Sequence, residues 1–104
     1  MRPDLNAMMR QVQGMQAKLA KIKEQLDNES CEGQSGGGMV KAVVNGKNEL
    51  LSIAIEKEAI DPSDPDMLQD LIVAAVNSAM KAMQQRTNEE MSKVTGGMKL
   101  PGLF

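Results

Sequence analysis

The segment GQSGGGMVKAVVNGKNELLSIAIE, residues 33–56, decides the fold class of this chain. After three successive glycines, two runs of mostly alternating apolar residues flank an Asn45-Gly46 pair. Such a pair between two strand-like runs is a strong signal for a β-hairpin, because both residues tolerate positive φ angles. Residues 29–35 can add a short strand ahead of the glycines. We therefore predict two or three antiparallel strands with one apolar face, which a helix must cover.

The three glycines at positions 36–38 raise the question of a phosphate-binding loop. Such a loop needs a lysine and a hydroxyl residue at fixed positions, and it must open directly into a helix. Here Met39 and Val40 follow the glycines, and the strand pattern continues. The glycines are therefore predicted to form a bend or bulge between two strands.

Long amphipathic stretches lie on both sides of the strand region. Residues 4–27 carry apolar residues at alternating spacings of three and four, which is the seam of a heptad repeat. The seam consists of Leu5, Met8, Val12, Met15, Leu19, Ile22 and Leu26. Residues 66–92 carry a wider apolar stripe that suits burial against a sheet, and Ser63 with Asp66 resembles a capping box before it.

These patterns predict one α+β domain in the 104 residues. Its long N-terminal helix precedes a two- to three-stranded antiparallel sheet, and a long C-terminal helix follows. The predicted parts are a helical arm at 1–28, strands at 29–60, a second helix at 63–93 and a tail at 94–104.

The residue types present argue against catalysis and metal binding. The chain has no histidine, so its one cysteine, Cys31, has no imidazole base to activate it. The acidic residues near position 61 are explained by a turn and a helix start, where negative side chains interact favourably with the helix dipole. We predict that the chain is not an enzyme and that it uses no cofactor, metal or small-molecule substrate.

The sequence also favours a cytoplasmic protein. The first residues lack the apolar region of a signal peptide, and no apolar run approaches the roughly 18–20 residues of a membrane span. A lone cysteine fits a reducing compartment. No membrane partner is expected.

Basic residues concentrate in the first helix, although the whole chain has a net charge of −2. On a helical wheel, Arg10, Lys18 and Lys21 fall within a sector of about 80°, nearly opposite the seam. One interpretation is an ordinary solvated face. The other is that two copies pair and present two basic ridges, which hold phosphates with salt-sensitive affinity.

Four segments together resemble the YbaB/EbfC family of small nucleoid-associated proteins, nearly from end to end. The segments are MMRQVQGMQAKLAKIKEQL (8–26), GQSGGGMVKAVVNGKNELLSIAIEKEAIDPSD (33–64), DMLQDLIVAAVNSAMKAM (66–83) and GMKLPGLF (97–104). The resemblance implies a helix–strands–helix protomer and a tweezers-like homodimer. It also implies binding to double-stranded DNA with little sequence preference, in the bacterial cytoplasm over the nucleoid.

The resemblance further implies that the DNA contacts lie on the projecting helices. Carried onto this sequence, the candidate DNA-binding residues are Arg2, Arg10, Lys18, Lys21, Lys23, Lys81 and Arg86.

A homodimer also follows from the residues themselves. A small sheet leaves an open edge, and a heptad seam on a long helix needs a partner. Pairing through the sheet edge or through the helix seam would satisfy these needs, and both remain open. A different class of function is also open: a protein-interaction or chaperone-like clamp that uses the Met-rich helices.

Overall fold

The structure is a computed structural model that describes residues 4–94. Helix α1 comes first, three antiparallel strands follow in the spatial order β1-β2-β3, and helix α2 comes last. Their bounds are Leu5–Asp27 for α1, Ser30–Ser35 for β1, Val40–Asn45 for β2, Leu50–Ile55 for β3 and Pro65–Val94 for α2. The predicted fold class is confirmed, with three strands in the sheet. From residue 95 onward, the predicted tail lies outside the described residues.

Helix α1 begins at an acidic cap and projects away from the sheet. The Asp4 carboxylate accepts hydrogen bonds from the backbone N–H groups of Asn6 and Ala7, which would otherwise lack helical partners. At the other end of α1, Leu26 is buried, whereas Leu5 and Val12 are 69% and 56% exposed. The seam is therefore covered only near its C-terminal end, and the N-terminal half of α1 stands free of the protomer.

The core lies between α2 and one face of the sheet. Val40, Ala42 and Val44 of β2 are fully buried, and so are Ala75 and Ala79 of α2. A further link is the Ser35 hydroxyl, which donates to the Leu71 carbonyl at 2.6 Å. The apolar stripe predicted for α2 is buried or half-buried except at Met80, so it does pack against the sheet. Its members are Met67, Leu68, Leu71, Ile72, Ala75, Val76, Ala79, Met80 and Met83.

The closest approach between sheet and helix occurs at Gly33 of β1. This glycine is buried, and a Cβ atom there would overlap the Ala75 carbonyl oxygen and the Ala79 backbone nitrogen. Only a residue without a side chain lets the two backbones meet in this way.

The glycines at 36–38 form a short 3-10 turn that joins β1 to β2. All three have positive φ angles, of 61°, 68° and 95°. This conformation favours glycine, so the predicted bend between two strands is confirmed.

The β2–β3 hairpin is confirmed as well, but its left-handed residue is not in the Asn45-Gly46 pair. The positive φ angle, 62°, belongs to Asn48. The side-chain oxygen of Asn45 accepts from the backbone N–H groups of Lys47 and Glu49, and this holds a loop longer than two residues.

Strand β3 forms an edge of the sheet and is largely uncovered. Its Ile53 lies opposite Ala42, and its Ile55 lies opposite Val40, so both are on the face that α2 covers elsewhere. However, α2 lies across β1 and β2. As a result Leu50, Leu51 and Ile53 are 46%, 55% and 37% exposed.

The start of α2 differs from the predicted capping box. Asp64 accepts a hydrogen bond from the Met67 N–H at 3.3 Å, while the Ser63 hydroxyl donates to Asp61 at 2.7 Å. The Ser63 hydroxyl and its backbone N–H together hold the pKa of Asp61 below its ordinary value. Asp64 therefore caps the helix, because Ser63 is already engaged in the preceding turn. Neither α1 nor α2, as described, contains a stretch apolar and long enough to cross a bilayer.

Candidate nucleic-acid interface

Three of the four basic residues of α1 lie on one exposed sector of the helix surface. Arg10, Lys18 and Lys21 are all exposed, and at 100° per residue they lie within about 80° of one another around the helix. They span about 16 Å along the helix axis at 1.5 Å per residue. The Arg10 Nε also donates to the Asn6 carbonyl at 3.4 Å, along the helix surface. We call Arg10, Lys18 and Lys21 the basic ridge.

No carboxylate neutralises the basic ridge within residues 4–94. In that range the structure shows ion pairs only for Arg86 and Lys93 among the basic side chains. The ridge therefore presents three uncompensated positive charges to solvent.

The other sequence-predicted residues do not join the ridge. Lys23 is exposed but lies toward the flank of the apolar seam. Lys81 is exposed on the side of α2 opposite its buried residues. Arg2 lies outside the described residues.

Arg86 differs from the other candidates because it belongs to an ion-pair network with Glu29, Glu90 and Lys93. Its Nε and Nη2 donate to the two carboxylate oxygens of Glu29, at 3.0 and 3.2 Å. Its Nη1 donates to Glu90, which also accepts from Lys93 at 3.0 Å. The hydrogen bonds that Arg86 donates to Glu29, and then to Glu90, raise the pKa of Arg86, and the hydrogen bonds that Glu90 accepts from Lys93 and Arg86 lower the pKa of Glu90.

Glu29 and Glu90 were not among the residues predicted from sequence. The spacing of four between Arg86 and Glu90 on one helix is a recognisable signal for a pair. Glu29 is 57 positions from Arg86 in the chain, and no local pattern indicates that the two side chains meet.

Several hollows lie on the described surface. One of about 510 Å³ lies between the β2–β3 loop and α2. Its lining residues are Gly46, Asn48, Met80, Met83, Gln84 and Thr87, none of them charged. Between residues 4 and 94, no three acidic or cysteine side chains gather closely enough to hold a metal ion.

Comparison with known proteins agrees with the predicted resemblance. The sequence profile of the YbaB/EbfC DNA-binding family matches residues 1–98. A protein of Pelotomaculum thermopropionicum, named a nucleoid-associated protein, is 50% identical over 97% of this chain and 96% of its own length. One of the same name from Alkaliphilus metalliredigens is 49% identical, over 98% and 90% respectively.

The fold has a counterpart among solved structures. The crystal structure of an uncharacterized protein from Helicobacter pylori superposes with a TM-score of 0.76 at 23% identity. The match covers 91% of this chain and all of that one, and it concerns the fold alone. On the family profile and the two close relatives, this chain belongs to the YbaB/EbfC DNA-binding family.

Proposed function

We propose that this protein binds double-stranded DNA as a homodimer and acts as a nucleoid-associated protein of the bacterial cytoplasm. Membership of a DNA-binding family and relatives named nucleoid-associated proteins support this function. The observation that carries it is the basic ridge, which is exposed on a projecting helix and has no carboxylate partner in residues 4–94.

The chemistry of the ridge favours phosphate contacts over base reading. Lysine and arginine side chains on a helix surface neutralise phosphates and release counterions, which is a sequence-independent interaction. The chain has one aromatic residue, Phe104, so stacking of unpaired bases has little support. Duplex DNA bound with little sequence preference is therefore the proposed ligand, with Lys23 and Lys81 as secondary contacts.

A second copy is needed because one chain has too few cations. The ridge supplies three positive charges on a chain whose net charge is −2. Two copies related by a two-fold axis double the ridge. Each phosphate that the dimer neutralises adds to the affinity and to its salt dependence.

Strand β3 is the proposed dimer interface. It is an edge strand with unpaired backbone groups, and its residues Leu50, Leu51 and Ile53 are exposed. The opposite edge, β1, reads SCEGQS and is polar. A free edge with exposed apolar side chains favours pairing with a copy of itself, and the uncharged hollow beside the β2–β3 loop leaves room for the partner. The sheet edge is thus favoured over the helix seam.

Replacing Ile53 with Lys is expected to dissociate the dimer. A two-fold interface loses two isoleucines at once, each contributing about 1.5–3 kcal/mol when buried. The dimer dissociation constant should therefore rise at least about a hundredfold. Sedimentation equilibrium reports this change as a fall in mass from twice 11.3 kDa towards 11.3 kDa.

The matched control for Ile53→Lys is Gln34→Lys on the opposite edge strand, where the residue is also exposed. This variant adds the same charge to β1 and is expected to remain a dimer. If both variants stay dimeric, or both become monomeric, the β3 interface is contradicted.

The DNA-binding proposal is tested by fluorescence anisotropy with labelled duplexes of random sequence at two salt concentrations. We expect binding that is indifferent to sequence and that weakens by at least about tenfold between 50 and 200 mM salt. A sedimentation measurement on the same sample supplies the mass of the binding species. Absence of binding at 50 mM salt would contradict the proposal.

The alternative function, a protein-interaction clamp, is favoured by one observation. Met8 and Met9 of the projecting helix are 53% and 59% exposed, and flexible Met side chains suit variable apolar partners. A tagged copy purified with and without nuclease separates the two functions. Partners bound through DNA are lost after nuclease treatment, whereas a protein held by a clamp stays bound.

A further inference from the structure

Helix α1 is attached to the rest of the protomer at its C-terminal end only. A small change in the angle of the helix at that end therefore produces a large displacement of its N-terminal part. Leu26 is buried in the core and Ile22 packs against it, while Leu5, Met8 and Val12, at the other end of the seam, are exposed. About 25 Å of helix separates Arg10 from Asp27. A rotation of about 10° at the attached end therefore moves Arg10 by about 4 Å, more than the roughly 3.4 Å rise between phosphates of one DNA strand.

Backbone contacts fix the place where α1 ends. Gly46 of the β2–β3 loop approaches so closely that a Cβ atom there would overlap the Leu26 carbonyl and the Asp27 nitrogen. Its N–H donates to the Glu29 carbonyl at 3.2 Å. These contacts hold the end of α1 from the side of the loop.

Arg86 holds the same end of the helix from the side of α2. Its planar guanidinium donates two hydrogen bonds to Glu29, just beyond the end of α1, and this fork permits one relative orientation. Glu90, on the next turn of α2, accepts from the third guanidinium nitrogen and is itself held by a hydrogen bond from Lys93. A forked pair within a network is the kind of surface ion pair that does constrain geometry.

We propose that Arg86 is a positioning residue, which with Glu29 holds α1 at the angle to α2 that DNA binding requires. This inference rests on the proposed function. It assigns Arg86 a role different from the phosphate contact that the family resemblance implies for it.

The geometry argues against a direct contact between Arg86 and phosphate. Nε, Nη1 and Nη2 of the guanidinium all donate to the carboxylates of Glu29 and Glu90. A phosphate that approached this group would meet two negative charges and would have to displace one of them.

The variant Glu29→Gln distinguishes a phosphate contact from a positioning role for Arg86, because the two roles predict opposite changes in DNA affinity. If Arg86 contacts phosphate, removing the negative charge of Glu29 frees the guanidinium and strengthens DNA binding. If Arg86 positions α1, the same variant loosens the helix, and binding should weaken about three- to tenfold despite the gain of positive charge. Anisotropy with random duplex DNA at 50 mM salt measures the difference.

The control for Glu29→Gln is Glu24→Gln, an exposed acidic residue of α1 outside the ion-pair network. It makes the same charge change and should leave binding unchanged or slightly stronger. Arg86→Gln should weaken binding as much as Glu29→Gln does, and the double variant no further. The exchange Glu29→Arg with Arg86→Glu should recover part of the lost DNA affinity. If the losses of affinity in Glu29→Gln and Arg86→Gln add up in the double variant, the proposal is overturned.

A measurement without DNA tests the positioning itself. In a Cys31→Ser background, spin labels at Gln13→Cys and Asn77→Cys report the distance between α1 and α2, with labelled chains diluted in excess unlabelled Cys31→Ser chain. We expect one narrow distance distribution that Arg86→Gln broadens, while far-UV circular dichroism stays the same. An unchanged distribution would overturn the positioning role.

The DNA-binding measurement and the spin-label distances test the proposed function and the positioning role separately. If the protein with its native residues does not bind DNA, the proposed function is contradicted, and the label distances still decide whether Arg86 fixes α1. If DNA binds and Glu29→Gln strengthens it, the proposed function stands and the positioning role is overturned.

Discussion

Replacing Gly33 with Ala is expected to abolish stable folding. The added Cβ would overlap backbone atoms of both Ala75 and Ala79, and neither belongs to a flexible side chain that could move aside. Helix α2 must therefore shift away from β1, which opens the contact that buries most of the core. The free energy of unfolding should fall by more than about 4 kcal/mol, a large part of the stability of a small domain.

Urea unfolding followed by circular dichroism measures this loss for Gly33→Ala. The matched control is Gly14→Ala on the exposed part of α1, where an added Cβ meets nothing within 4 Å. It should stabilise the protein by up to about 1 kcal/mol, because alanine is the better helix former. The same substitution then has opposite effects at two sites. A Gly33→Ala protein as stable as the unsubstituted one would contradict the close approach of β1 and α2.

Replacing Arg10, Lys18 and Lys21 together with Ala is expected to remove most DNA binding. In the proposed dimer six cations are lost, and each phosphate contact contributes a slope of about −0.9 to the logarithmic dependence of affinity on salt. The affinity for random duplex DNA at 50 mM salt should fall by about a thousandfold, and the salt dependence should become shallower by about 3 to 5. Anisotropy over a series of salt concentrations measures both quantities.

The control for the triple variant is Lys41, Lys47 and Lys57 replaced together with Ala. The net charge changes by the same amount, but these residues lie on β2, the β2–β3 loop and the turn after β3. We expect the affinity for random duplex DNA to fall at most tenfold, because only the overall charge of the protein changes. Equal losses in the two triple variants would show that binding follows total charge and not the basic ridge. Far-UV circular dichroism should be the same for both.

Local pattern was enough to predict the order and type of the elements. The seam from Leu5 to Leu26 predicted α1, and the stripe of α2 predicted the covered sheet. Burial along α1 could not be predicted, because it depends on how far α2 extends beside that helix. The position of the left-handed residue also escaped prediction, since the Asn45 side chain holds a longer loop and moves the positive φ angle to Asn48.

The part of the candidate site that follows helical periodicity could be predicted from the sequence. The wheel placed Arg10, Lys18 and Lys21 on one side of α1, and the structure finds all three exposed. Arg86 is the opposite case. Its charge alone made it resemble the others, whereas its partner Glu29 comes from a distant part of the chain and appears only once the fold is known.

The interior between sheet and helix is shallow. Half of the eight buried apolar residues described in 4–94 are alanines, whose burial contributes less free energy than that of leucine or methionine. With β3 still exposed, a single copy retains little reserve against thermal unfolding. If a second copy covers that strand, assembly and folding become linked by mass action, and the melting temperature rises with protein concentration. The cellular abundance of the chain would then set how much of it is folded.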